Sequence, residues 1–203
     1  MPQAGVNCGM ISDLNHCFPL RRGRVHEVFG AAAFGFAAVA CAQARGDLLW
    51  ITEGWRAERI NPLGLAAFFD PSRLLIAQTK DQTEVLAVAE EALRDGCIGF
   101  VVLSLTRPLD LREGRRLQLA AEKGRATGLC LIPEGMGSNA TQSRWQAVPL
   151  LGANADSTLM RWQIIKNKEG TIGAWNVRWD AAAHRLDVVS TVAKRPCSAP
   201  APA

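Results

Sequence analysis

The chain contains no tyrosine, and none of its six cysteines stands in a C-x-x-C pair. It also has no apolar stretch of the roughly 18 residues that a membrane-spanning helix needs. Cys8, Cys17, Cys41, Cys97, Cys130 and Cys197 are scattered along the chain, and several lie in apolar runs. That distribution excludes a disulfide framework and predicts buried, reduced thiols. Cys8, His16 and Cys17 are close in sequence, but no fourth ligand stands at a recognised spacing, so no metal site is expected. Asp13 and Asn15 interrupt the apolar part of residues 1–22, and positive charge arrives only at Arg21 and Arg22. This order does not fit a secretory leader, and a cytoplasmic location is expected. The mean hydropathy of +0.03 excludes wholesale disorder. With 203 residues, one domain is the default. The net charge of +4 permits a nucleic-acid partner without demanding one.

Short apolar runs alternate with helical patterns over the first two thirds. Strands are expected at Val25–Phe29, Leu48–Thr52, Leu74–Thr79, Phe100–Leu105 and Gly128–Ile132. Helices are expected at Ala31–Arg45, at Trp55–Phe69 with a break before Pro62, at Thr79–Gly96 and at Leu109–Arg125. Asp81 followed by Glu84 suits an N-terminal cap, and Gly96 suits a stop. After a Gly/Ser/Asn-rich loop at 134–144, four strands follow without helices: Trp145–Leu151, Leu159–Ile165, Thr171–Trp179 and Leu186–Val189. The pattern predicts an α/β fold, a mostly parallel sheet with helices on both faces, extended by C-terminal antiparallel strands. Residues 1–22 read as an N-terminal arm, 23–192 as the domain, and 193–203, with Pro196, Pro200 and Pro202, as a flexible tail.

The first strand runs into Gly30-Ala31-Ala32-Ala33-Phe34-Gly35-Phe36-Ala37. A phosphate-binding loop places G-x-x-x-x-G-K-[ST] between a strand and a helix. Gly30 and Gly35 keep that spacing, but Phe36 stands where the lysine belongs and Ala37 where the metal-holding hydroxyl belongs. Two glycines at this spacing also occur by chance.

Beyond these glycines, the chain resembles the RecA-fold recombinases over roughly residues 23–190. The resemblance is carried by Glu27-Val28-Phe29-Gly30, by Lys80-Asp81-Gln82-Thr83-Glu84 and by Ile164-Ile165-Lys166-Asn167-Lys168. It is similar more specifically to the ImuA family of SulA-like mutagenesis proteins. That similarity rests on Glu58-Arg59-Ile60-Asn61-Pro62-Leu63-Gly64-Leu65, on residues 109–117 and on residues 131–139. Set against the recombinases, Leu103 occupies the position of the metal-orienting aspartate. Glu53 falls near their catalytic glutamate and Glu134 near the glutamine that senses the γ-phosphate. With lysine, hydroxyl and aspartate gone, the plainer reading of Glu53 is a solvated loop carboxylate. Residues 134–139 are also shorter than the recombinases' DNA-binding loop, so filament formation on single-stranded DNA is not expected.

Two basic clusters remain. Arg112, Arg115 and Arg116 fall within about one helical turn and suit phosphates or an acidic partner, or else a solvated face. Lys166 and Lys168 flank Asn167 near a strand end; the resemblance implies lysines that face a nucleotide across a subunit boundary. Here they read as inherited framework, as exposed turn residues, or as a binding patch for nucleic acid or a partner. Trp145, Trp162, Trp175 and Trp179 lie on the late strands, where packing or an exposed aromatic edge would explain them.

The resemblance to ImuA implies a non-catalytic RecA-like accessory protein in SOS damage-induced mutagenesis and translesion synthesis. It implies an adaptor for ImuB and an error-prone polymerase III alpha-type subunit, with RecA as a candidate further partner; the basic helix leaves direct DNA contact open. No catalytic residue, cofactor, metal or membrane partner is expected. The competing readings are a RecA-type ATPase using Glu53 with Lys166 or Lys168, and a SulA-like cell-division inhibitor.

Overall fold

Strands β1 (Val25–Phe29) and β2 (Leu48–Glu53) are buried at every position, and their residues are apolar apart from His26 and Glu27 in β1 and Thr52 and Glu53 at the end of β2. A computed structural model describes residues 13–135, 137–152 and 158–191. Between these strands, helix α1 (Ala33–Gln43) is apolar on all sides and buries Phe36 through Cys41 without interruption. After β2 come α2 (Pro62–Leu65), β3 (Leu74–Thr79), α3 (Gln82–Asp95), β4 (Phe100–Ser104), α4 (Leu111–Gly124) and β5 (Thr127–Leu131). Strands β6 (Ser143–Pro149), β7 (Met160–Asn167), β8 (Ala174–Asp180) and β9 (Arg185–Thr191) complete a nine-stranded sheet ordered β3-β2-β4-β5-β1-β6-β7-β8-β9.

All pairings from β3 to β6 are parallel, and those from β6 to β9 are antiparallel. The expected architecture is therefore present: a mostly parallel sheet, helices on both faces and an antiparallel C-terminal extension. β6 belongs to both halves, parallel to β1 and antiparallel to β7.

Two apolar clusters form, one per face. On one face, α1 packs with Trp50, Trp145, Trp162 and Trp175; on the other, α3 and α4 pack with Ile51, Val101 and Leu103. The late tryptophans are core residues, with Trp145, Trp162, Trp175 and Trp179 all buried. Leu14, Phe18 and Leu20, from the stretch read as an arm, join the α1 cluster. Residues 1–12 of that arm, with Cys8, and the tail with Cys197 lie outside the described residues.

Local signals place helix ends well. Asp81 caps α3 by accepting from the Glu84 N–H at 3.0 Å, and Gly96, at φ +77°, ends it. In α4, Asp110 and Glu113 form a reciprocal capping box.

Two expectations are corrected. The long helix expected at Trp55–Phe69 is only Pro62–Leu65: Asn61 caps it, accepting from the Leu63 N–H at 3.1 Å, and residues 56–61 run as irregular chain. The residue before proline resists helix, and Gly64 weakens the turn beyond it. Among the cysteines, Cys41 and Cys130 are buried and Cys17 half-buried, but Cys97 is exposed just beyond α3. Its apolar neighbours turn inward without it. Burial pushes the Cys41 thiol up to about 12.

Candidate functional site

The turn from β1 into α1 is built on Gly30, whose φ of +101° and close approach to the Ala147 carbonyl leave no room for a side chain. Two of its backbone donors are already engaged. The Ala32 N–H donates to Ala147 O at 3.0 Å, and the Ala33 N–H donates to Gly30 O at 3.0 Å. At Gly35 an added Cβ would lie 3.0 Å from Met160 Sδ. Phe36 is fully buried, with ring centroids 4.4 Å from Trp162, 5.3 Å from Trp145 and 5.8 Å from Phe18. Ala37 and Leu103 are likewise fully buried. Phe36, Ala37 and Leu103 are therefore core residues, Leu103 in the cluster on the opposite face.

Glu53 is not the solvated loop carboxylate expected of it. It is the last residue of β2, is 4% exposed, and its Oε2 has no hydrogen-bond partner. Strand alternation sets it beside Leu49 and Ile51 on the α3–α4 face, opposite Trp50 and Phe36. Glu134 is exposed just past β5.

On that same α3–α4 face, the crossover from β5 to β6 passes over Glu27, which is fully buried on β1. The Ser138 N–H donates to Glu27 Oε1 at 2.8 Å; Thr141 Oγ1 and Arg144 Nε donate to Oε2 at 3.0 and 2.9 Å. Lys166 Nζ donates to the carbonyls of Ser138, Asn139 and Thr141 at 3.2, 2.9 and 2.8 Å, and Lys168 Nζ to that of Ala140. Burial, helped by Lys168 and Arg144, holds the Lys166 ammonium below its ordinary pKa. Four successive carbonyls thus converge on two lysines. Gly114 of α4 lets this crossover seat closely: a Cβ there would meet Ala140 Cβ at 3.1 Å.

His26, next to Glu27, sits between Ser143 Oγ at 2.6 Å and Arg21 O at 3.0 Å. Burial pushes its imidazole down to about 4. Sequence reasoning missed this group of residues as a unit. The signal was His26-Glu27 inside an apolar strand, since a buried charge requires a partner.

The three arginines of α4 differ in their partners. Arg116 pairs with Glu90 of α3 at 2.6 Å, whereas Arg112 and Arg115 are exposed with no partner among the described residues. No group of His, Cys, Asp and Glu suited to a metal occurs among the described residues. No described helix is long and apolar enough to cross a membrane.

No protein-family model matches the chain. Protein ImuA of Caulobacter vibrioides, in each of two strains, is 29% identical over 84% of this chain and 82% of its own length. The chain is ImuA-like. The crystal structure of the RadB recombinase superposes with a TM-score of 0.58 at 13% identity, covering 84% of this chain and 92% of RadB. The ImuA-like chain therefore has a recombinase-type fold.

Proposed function

We propose that this chain is a RecA-like accessory protein in damage-induced mutagenesis, cytoplasmic, acting through its surfaces as an adaptor for ImuB and an error-prone polymerase. The similarity to ImuA supports the process. One observation supports the absence of nucleotide turnover: Phe36, at the lysine position, is enclosed by Phe18, Trp145 and Trp162. A nucleoside triphosphate with its magnesium does not fit this turn. Lysine, hydroxyl and aspartate are replaced by Phe36, Ala37 and Leu103, and the Ala32 and Ala33 N–H groups already have acceptors. The ATPase alternative needs a free Lys166 or Lys168, and both ammonium groups are engaged with carbonyls of their own crossover.

In the source bacterium, deleting the gene should abolish most ultraviolet-induced rifampicin resistance while leaving growth and cell length normal. The purified protein should show no saturable ATP or ADP binding by calorimetry up to millimolar nucleotide with magnesium. Undiminished induced mutagenesis in the deletion strain would refute the accessory role. Micromolar nucleotide affinity lost on Lys166→Met would establish the ATPase instead.

A further inference from the structure

Beside the β1–α1 turn, the carboxyl ends of β2, β4 and β5 border a cleft of about 520 Å³. Its size falls in the range of ligand clefts, ~300–1,000 Å³, and crevices at strand carboxyl ends are where parallel sheets bind. Its wall is apolar: Phe34 lies on Trp50 with ring centroids 4.8 Å apart, and Ile60, Leu105, Ile132 and Pro133 complete it. Phe34 is 44% exposed, so a ring face is open to an incoming group.

Two hydroxyls of the wall are already engaged, while Thr52 and Glu58 also line it. Ser104 Oγ accepts from Trp50 Nε1 at 2.9 Å, and Thr106 Oγ1 donates to Gln82 Oε1 at 3.3 Å. Two arginines stand at the mouth. Arg59 is exposed with no partner among the described residues, and Arg56 has only Glu58, at 3.6 Å and 79% exposed. Such an exposed pair contributes little and is readily exchanged. The same segment exposes Trp55 and Leu63. Exposed apolar groups combined with unpaired arginine have the composition of protein-interface hot spots.

We propose that this cleft is a docking site for an acidic segment of a partner protein, one that inserts a leucine or aromatic side chain against Phe34 and sets carboxylates on Arg59 and Arg56. Charge complementarity selects this occupant. The chain's own segments 1–12 and 192–203 contain no aspartate or glutamate, so neither supplies the carboxylates. Single-stranded nucleic acid fits less well, because the wall offers aliphatic groups and engaged hydroxyls to base edges. The proposal rests on the accessory role above and names the chemistry of one partner contact.

The test is selection of a phage-displayed random dodecamer library on the full chain, with affinities of the selected peptides measured by fluorescence polarisation. Selected peptides should combine acids with a leucine or aromatic residue, and Arg59→Glu should weaken them tenfold or more. Phe34→Ala should do the same at an unchanged melting temperature; if it lowers the melting temperature, exposed Arg59→Glu alone decides. No enrichment, peptides without acids, or affinities unmoved by Arg59→Glu would overturn the proposal. So would fifteen-nucleotide oligo-dT binding that both variants abolish. Arg59→Glu should also lower induced mutagenesis in cells. If gene deletion has no effect yet Arg59-dependent peptide binding persists, the accessory role fails and the docking site stands. If deletion abolishes mutagenesis while both variants behave as wild type in both assays, the docking site fails alone.

Discussion

The β1–α1 turn and the β5–β6 crossover lie against the same strand on opposite faces of the sheet. The turn keeps the glycine spacing of a phosphate-loop pattern, carries no charged side chain from Gly30 to Ala37, and packs against an aromatic cluster. The crossover keeps its charges, Glu27, Arg144, Lys166 and Lys168, and directs all four at its own backbone or at one another. Loss of charge and internal pairing of charge are thus two routes to one outcome, a backbone held without an external ligand. A lysine in a recombinase-like run acquires a meaning only once its acceptor is known.

The uncharged side depends most on Phe36. Phe36→Ala opens a cavity among Phe18, Trp145 and Trp162 and should cost about 3–5 kcal/mol in chemical denaturation, without creating nucleotide affinity. A loss below about 1 kcal/mol would show that the aromatic cluster does not hold the turn.

His26 neighbours Glu27 on β1 but points to the α1 face, and it carries a pH dependence. Its pKa is about 4 in the fold against 6.5 unfolded, lowered by burial first and then by Arg21 and Arg24. The unfolded chain therefore binds more protons between those values, so this stability is complete above pH 6.5 and lost as pH falls toward 4. The full loss is on the order of 3 kcal/mol. Melting temperature should fall across this window, and His26→Gln should flatten the profile.

Lys166→Met keeps the aliphatic stem and removes this donor from the Asn139 and Thr141 carbonyls, while Ser138 O keeps Thr141 Oγ1 and Arg144 Nη2. It should cost about 1–2 kcal/mol and raise amide exchange within residues 137–142 before it does so elsewhere. Equal exchange everywhere would dissociate the lysine from the crossover.

The smallest effect is expected where charges remain free of the backbone. Replacing Arg112, Arg115 and Arg116 together by alanine should change stability by about 0.5 kcal/mol or less, apart from the Arg116–Glu90 pair. It should weaken binding to DNA or to ImuB. Unchanged affinity for both, with an intact circular dichroism spectrum, would make α4 a solvated face.

Element order was legible because each signal is local: a buried parallel strand reads as a continuous apolar run, and Asp81, Glu84 and Gly96 mark the ends of α3 through bonds to near neighbours. The missing lysine, hydroxyl and aspartate of the phosphate-loop pattern were equally visible, because residue identity needs no fold. The features hidden until the chain is folded depend on groups far apart in sequence. Glu27 meets Arg144 across 117 residues, and Lys166 reaches carbonyls 25 to 28 residues away. The burial of Glu53 and the exposure of Cys97 belong to the same class, whereas the short span of α2 follows from its neighbours Asn61, Pro62 and Gly64. A side chain's type states what bond it is able to form; which partner lies within about 3 Å is settled by packing, and packing decided whether these charges face solvent or the chain itself.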